Sequence, residues 1–186
     1  RAAQLSRCTG DNVIAAAIIE RPWPRKLDPF EGEYFTYVEG QAKDSLQQMI
    51  DQLPAEVDIQ PMVRQALSVP VGLTELAAEV SATVVVVGSS SSGLRGRIAL
   101  GSVTDRLVHT AAVPVAIAPR GYTAQSATIE RLTVAYGGHA DEVGLVATTA
   151  QLAEQWSARL RIASFTVRPA SMFSSAIETS AEDLVV

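Results

Sequence analysis

Apolar runs alternate along the chain with segments of helical periodicity. Residues 13–19 and 84–87 are continuously apolar, which is typical of parallel strands that are covered on both faces. In residues 57–63 apolar and polar positions alternate, and Pro61 within this segment predicts a half-buried strand at a sheet edge. Residues 113–118 are predicted to be the last strand of this region.

The segments between these runs carry apolar residues at spacings of three and four, the pattern of helices that bury one face. Residues 1–8 are predicted to end one helix, residues 41–53 to form a second, and Ser68 and Ser102 to begin two more. The proline-containing residues 21–32 are predicted to be a loop. Such alternation of strands and helices predicts a layered α/β protein with a parallel sheet and right-handed crossovers.

A gapless repeat relates the start of the chain to its last quarter. Ala3-Gln4-Leu5 recurs as Ala150-Gln151-Leu152, and Arg21-Pro22 recurs as Arg168-Pro169, in each case 147 positions later. The alternative is that two ordinary helix–strand units happen to share this composition. If the repeat is real, its length is that of a normal domain.

The repeat predicts the organisation of the chain. One domain is expected in residues 1–120, a polar linker in 121–128, and the start of a second domain in 129–186. In the second domain, residues 132–136 are a predicted strand and residues 142–159 a predicted helix. Shifting that strand back by 147 positions places the first strand of the first domain before residue 1, so the sequence is expected to begin inside a helix.

Composition narrows the classes of function. Hydrophobic residues make up 47% of the chain and charged residues 19%, which is enough to bury a core. A net charge of −5 argues against binding to nucleic acid or to anionic membranes. The single Cys8 predicts a reducing, cytoplasmic location, and with two histidines it makes a His/Cys zinc site improbable. No apolar run approaches the roughly 18–20 residues that cross a bilayer.

The segment 88–101 carries the candidate chemistry. It is rich in glycine and serine, follows the four-valine strand, and leads into a helix that begins at Gly101-Ser102. Glycines let backbone N–H groups approach an anion, and a helix N-terminus supplies unpaired donors and partial positive charge. Arg95 or Arg97 could neutralise a phosphate. The alternative is a structural turn in which Ser102 and Asp105 form a capping box that satisfies only the helix itself.

These residues resemble the signature of the universal stress proteins. In that family a Gly, two residues, a second Gly, nine residues and a Gly-Ser or Gly-Thr follow the fourth strand. Here Gly88 and Gly101-Ser102 match, as do Val103 and the later Pro114-Val115, but Ser91 replaces the second glycine. The added Cβ could block the approach of phosphates, because serine disfavours positive φ, or its hydroxyl could be an extra donor.

The resemblance implies a fold and a ligand. The fold is a three-layer α/β sandwich with a five-stranded parallel sheet, of the adenine nucleotide alpha hydrolase-like kind, whose first strand is missing from the start of this chain. The ligand is ATP, with Mg²⁺ as a possible companion. Ile18 is expected to line the adenine pocket, and the phosphates are expected to lie against Gly88, Ser91, Gly101, Ser102 and Val103.

The resemblance also implies how the protein works. It is expected to be a stress-response protein that changes conformation or assembly with nucleotide, and at most a slow ATPase, because no residue is evidently placed as a general base. The strand between Val113 and Ala118 is expected to pair in a homodimer or with the second domain. Tyr136, where the family usually has an Asp, suggests a degenerate second site. The alternatives are an interaction module that has lost nucleotide binding and an adenylyl-transfer enzyme.

Overall fold

The computed structural model describes residues 2–21, 31–53, 57–122, 128–137 and 143–164. It divides into two compact units, Arg1–Thr128 and Ile129–Val186. Strands and helices alternate through both units, so the prediction of an α/β protein with parallel strands is confirmed.

The described part of the first unit contains four helices and four strands. The helices are α1 (Ala2–Thr9), α2 (Glu31–Asp51), α3 (Val69–Glu79) and α4 (Ser102–Thr110). The strands are β1 (Val13–Glu20), β2 (Ile59–Ala66), β3 (Val85–Gly88) and β4 (Val115–Ala118). Each of the four predicted strands is therefore present, with bounds that differ from the prediction by a few residues.

Helix α2 begins ten residues earlier than the predicted helix 41–53. Phe35, Val38, Ala42 and Leu46 continue one face at spacings of three and four, and Leu46 is buried. Gly40 in the middle of this helix concealed that continuity, because glycine is a poor helix former. Most of the predicted loop 21–32 lies outside the described residues, and its last two positions belong to α2.

The expectation of one five-stranded sheet is not met within the described residues. β1 pairs in parallel with β2, β3 pairs in parallel with β4, and no hydrogen-bonded ladder joins the two pairs. In the described residues, β1 and β3 are each hydrogen-bonded to another strand along one edge. Both are apolar as central strands are, yet most of their residues stay half-buried.

Strand β2 is half-buried, as its sequence predicted, but its burial does not follow the predicted alternation, because Pro61 is exposed. Pro61 lies opposite Ala15 of β1. In the described residues β1 is the one strand that pairs with β2, which makes β2 an edge strand. An edge is where a residue without an N–H donor is tolerated.

Helix α3 packs closely on the β1–β2 pair because Gly72 has no side chain. A Cβ built on Gly72 would lie 2.7 Å from Cγ2 of Ile18 and 2.8 Å from the Cβ of Ala66. Leu76 and Ala77 of the same helix are buried. The two strand pairs are also tied together at one end, where the Thr83 hydroxyl donates a 3.1 Å hydrogen bond to the Asp11 carboxylate.

The second unit has one parallel strand pair with a crossover helix. β5 (Arg131–Tyr136) and β6 (Arg159–Ser164) pair in parallel, and α5 (Val143–Gln155) connects them. The predicted helix 142–159 is too long, because Ser157 takes a left-handed φ of 52° and ends the helical turn. Gly10, which follows α1, has a φ of 76° and lies 147 positions earlier.

Two glycine-to-alanine substitutions in helices are predicted to have opposite effects. Gly72→Ala should lower the free energy of unfolding by about 1–3 kcal/mol, because the new Cβ overlaps two packed side chains. Gly40→Ala should raise it by about 0.5–1 kcal/mol, since an added Cβ there meets nothing within 4 Å. Urea unfolding of the two variants measures both values. Equal effects of the same sign would contradict the close packing of α3.

Candidate anion-binding site

The loop between β3 and α4 is closed at its base by hydrogen bonds. The N–H of Ala99 donates to Oγ of Ser89 over 2.8 Å, and that hydroxyl donates to the Ala99 carbonyl over 3.1 Å. The N–H of Ser90 donates to the same carbonyl, and the N–H of Ser89 donates to the carbonyl of Ala118 in β4. The two ends of the loop, one after β3 and one before α4, are therefore held together.

Ser91 occupies a tight turn that begins at Ser90. The N–H of Gly93 donates to the Ser90 carbonyl over 3.2 Å, and the N–H of Ser92 donates to the Ser90 hydroxyl over 3.3 Å. Ser91 is exposed and does not have a positive φ, since Ser81 and Ser157 are the non-glycine residues of the described chain that do. The serine at this signature position therefore adds no backbone strain to the turn.

Two glycines of this loop that the signature does not include are needed for its shape. A Cβ on Gly93 would lie 2.7 Å from the Cβ of Ala99, and Gly96 has a φ of 76°. The signature glycines are less confined: a Cβ on Gly101 would meet Ser90 at 3.6 Å, and one on Gly88 would meet nothing within 4 Å. Open space therefore lies next to the end of β3.

The N-terminus of α4 has no side-chain cap. Gly101 is the N-cap residue and Ser102 the first helical residue, so the capping box expected as the alternative does not form. The N–H groups of Ser102 and Val103 have no hydrogen-bond acceptor within the described part of the chain. Behind them, the buried Thr104 donates its hydroxyl to the Gly88 carbonyl over 3.3 Å, which holds the helix against the end of β3.

At the N-terminus of α3 the protein itself supplies an acceptor for one N–H group. Ser68 is its N-cap residue, as predicted, but its side chain makes no capping hydrogen bond. Instead, the N–H of Val69 donates to the Glu20 carboxylate over 3.0 Å. One helix of this unit thus begins at an internal carboxylate, whereas α4 begins with open donors that suit an external anion.

Cationic side chains surround the loop in a chain whose net charge is negative. Arg95 and Arg97 lie on the loop and are exposed. Arg120, which follows β4, donates from Nη1 to the Gly93 carbonyl over 2.8 Å. The combination of open N–H donors and nearby guanidinium groups is one that attracts phosphate or carboxylate groups.

Most of the predicted site residues lie together. They belong to the end of β3, the turn and the start of α4, namely Gly88, Ser91, Gly101, Ser102 and Val103. Ile18 is different, because its side chain lies against Gly72 of α3.

The prediction missed Glu20, Gly93, Gly96 and Arg120. Glu20 closes an apolar strand and precedes Arg21 by one position, so it resembles an ordinary solvated residue. Gly93 and Gly96 lie inside the segment that was recognised, and their spacing around Leu94-Arg95 was the available signal. The role of Arg120 depends on a contact between residues 27 positions apart, which no local pattern indicates.

Comparison with known proteins identifies the family of the chain. The family model described as universal stress protein family matches residues 1–119. The chain belongs to the universal stress protein family. It is 31% identical over 189 aligned positions to universal stress proteins of Mycobacterium tuberculosis and Mycobacterium bovis, with all of this chain aligned. The chain spans 65% of the length of these relatives.

No described helix is both long enough and apolar enough to cross a membrane. The described residues also contain no group of three or more His, Cys, Asp or Glu side chains that could hold a metal ion.

Proposed function

We propose that this universal stress protein binds ATP and acts in a stress response through nucleotide-dependent conformation or assembly. The observation that carries the proposal is the open N-terminus of α4. Its Ser102 and Val103 N–H groups lack acceptors, and the neighbouring Gly88 borders free space. Family membership supports adenine nucleotide as the anion, and the similarity to mycobacterial universal stress proteins supports the stress response.

The residues present fit a triphosphate in three ways. The open N–H groups of Ser102 and Val103 would donate to phosphate oxygens, and each hydrogen bond to a charged acceptor is worth about 1.5–3 kcal/mol. The helix dipole adds about 0.3–1 kcal/mol for an anion at an exposed N-terminus. The exposed Ser102 hydroxyl and the Arg95 and Arg97 guanidinium groups would supply further donors and positive charge.

Ser91 is part of this proposal as a donor. Because its φ is negative, the substitution leaves the turn unstrained, and its exposed hydroxyl is available to a phosphate. The alternative function, an interaction module of the same fold that does not bind nucleotide, predicts the opposite: there the Ser91 Cβ keeps phosphates away. Replacing Ser91 by glycine separates the two.

For the adenine ring we propose the carboxyl end of β1, where Ile18 lies. The support is topological, since ligands of open parallel sheets bind beyond the carboxyl ends of the strands. The contact of Ile18 with Gly72 gives this side chain a packing role as well. A variant at Ile18 would therefore change stability and affinity together and is a poor choice for a first test.

We propose binding rather than rapid turnover as the activity, with slow ATP hydrolysis at most and no catalytic residue. Mg²⁺, when bound, would neutralise phosphate charge. Since the described residues offer no cluster of metal-ligating side chains, the phosphates and water would supply most of its ligands. The residues of this chain would hold the phosphates by N–H donors and guanidinium groups.

We also propose the family's complete architecture for this chain. A fifth parallel strand would lie between β1 and β3, each of which has one edge without a hydrogen-bonded strand in the described residues. The second unit would be the start of a second domain of the same kind. Support comes from the left-handed residues Gly10 and Ser157, which end equivalent helices 147 positions apart.

Titration calorimetry with ATP tests the nucleotide proposal. With protein and ATP at about 100–300 μM, the wild-type chain should give a measurable heat of binding. Gly88→Val should weaken binding at least about tenfold, because its side chain fills the space beside the loop, whereas Gly144→Ala, a control glycine with nothing within 4 Å, should have no effect. Ser91→Gly should weaken binding by a few fold.

Two results would contradict this proposal in different ways. Absence of heat with the wild type, together with binding by Ser91→Gly, would favour the interaction module. Unchanged affinity in Gly88→Val would place any ATP elsewhere on the chain.

We propose that the strand in residues 113–118, of which Val115–Ala118 is the observed β4, pairs through its second edge with another copy or with the second unit. Within the described residues β4 is hydrogen-bonded to β3 alone, and its four residues are half-buried. A short apolar strand with an open edge is a template for pairing.

Light scattering with Ile117→Lys tests the pairing. The introduced charge should give monomers or insoluble protein, because it places an ammonium group in an apolar strand. Val108→Lys is the matched control, since Val108 is already 48% exposed on α4. An oligomeric mass in Ile117→Lys equal to that of the wild type and the control would contradict a role of this strand in assembly.

A further inference from the structure

The chain segment that follows β4 holds the tip of the Gly/Ser loop. Arg120 donates from Nη1 to the Gly93 carbonyl over 2.8 Å, and its own carbonyl accepts a 2.9 Å hydrogen bond from the N–H of Gly96. One residue thus binds both ends of the segment 93–96. The base of the loop is fastened separately by Ser89 and Ala99, so Arg120 controls the tip.

The same segment has further contacts. Gly121 has a φ of 75°, and a Cβ there would lie 3.2 Å from Nε of Arg95, so the Arg95 side chain lies over this glycine. The hydroxyl of Tyr122 donates to the Gln4 side chain in α1, and its N–H donates to the Pro119 carbonyl. Residues 120–122 are therefore ordered by the loop on one side and by α1 on the other.

We propose that Arg120 is a positioning residue that sets the loop for its anion and couples the loop to residues 120–122, the segment that follows β4. The inference rests on the proposed function, because it takes a phosphate-bearing ligand as the occupant of the loop. Arg120 itself does not have to touch that ligand. It acts through Gly93 and Gly96, whose positions determine where Arg95 and the remainder of the loop lie.

The coupling follows from the shared hydrogen bonds. A ligand that draws in the loop favours one arrangement of residues 93–96, and Arg120 joins that arrangement to residues 120–122. If the ligand binds one state of the loop more tightly than another, it also stabilises the arrangement of the segment after β4 that belongs to that state. Such coupling is reciprocal, so a change that favours one arrangement of residues 120–122 must alter ligand affinity by the factor by which the ligand favours that arrangement.

The Arg120 side chain donates one hydrogen bond, from Nη1 to the Gly93 carbonyl, and adds positive charge close to the loop. Lysine can supply one donor and the same charge, and alanine neither. The series Arg120→Ala and Arg120→Lys therefore separates loss of the contact from loss of folding.

The test uses the full 186-residue chain with ATP as the probe. Calorimetry gives the affinity, and hydrogen exchange follows the amides of Gly96 and residues 120–122 with and without ATP. Arg120→Ala should weaken ATP binding about three- to tenfold and accelerate exchange at Gly96, and Arg120→Lys should recover at least about half of the loss on a logarithmic scale. Arg131→Ala, an exposed arginine of β5, is the charge-matched control and should match the wild type. In the wild type, ATP should slow exchange at Gly96 and at residues 120–122 together.

Each result decides the question. Wild-type affinity in Arg120→Ala, or slower exchange at Gly96 on ATP addition without any change at 120–122, overturns the coupling and leaves ATP binding intact. Absence of ATP binding by the wild type overturns both the proposed function and the coupling. Equal losses in Arg120→Ala and Arg120→Lys, with a lowered melting temperature in both, indicate a purely structural role and also overturn it.

Discussion

The first N–H groups of an α-helix have no acceptor within the helix, and the first unit meets this constraint in two ways. At α3 the protein supplies the acceptor, because the Glu20 carboxylate at the end of β1 binds the N–H of Val69. At α4 the described residues supply none, since the N-cap residue is Gly101 and no described side chain caps the helix. The second helix therefore offers to an external anion the interaction that the first helix makes internally.

Such an open N-terminus is useful only if the loop before it is held in place. The Ser89–Ala99 hydrogen bonds close the base, and Thr104 binds the helix to the end of β3. Glycines serve two purposes in this loop: Gly93 permits close approach to Ala99, whereas Gly88 leaves space beside the strand. The family signature includes Gly88, which leaves this space. It does not include Gly93, which the packing of the loop requires.

The sequence was informative where one local pattern determines the structure. The valine run at 84–87, the alternation around Pro61 and the Gly101-Ser102 junction each predicted an element that the structure contains. It was uninformative where distant residues meet: Arg120 with Gly93, Glu20 with Val69, and Ile18 with Gly72. The capping box failed because Ser102 has the right spacing but lies one position too far into the helix.

Nitrogen-15 NMR of the amide groups during titration with ATP tests the central claim most directly. The claim predicts saturable shifts that are largest at Ser102 and Val103, with Gly88 also affected. Thr83 provides an internal control, because it precedes β3 at the end opposite the loop and should shift far less. Saturation with ATP that leaves Ser102 and Val103 unchanged, or shifts Thr83 as much, would contradict the assignment of the open helix N-terminus as the anion site.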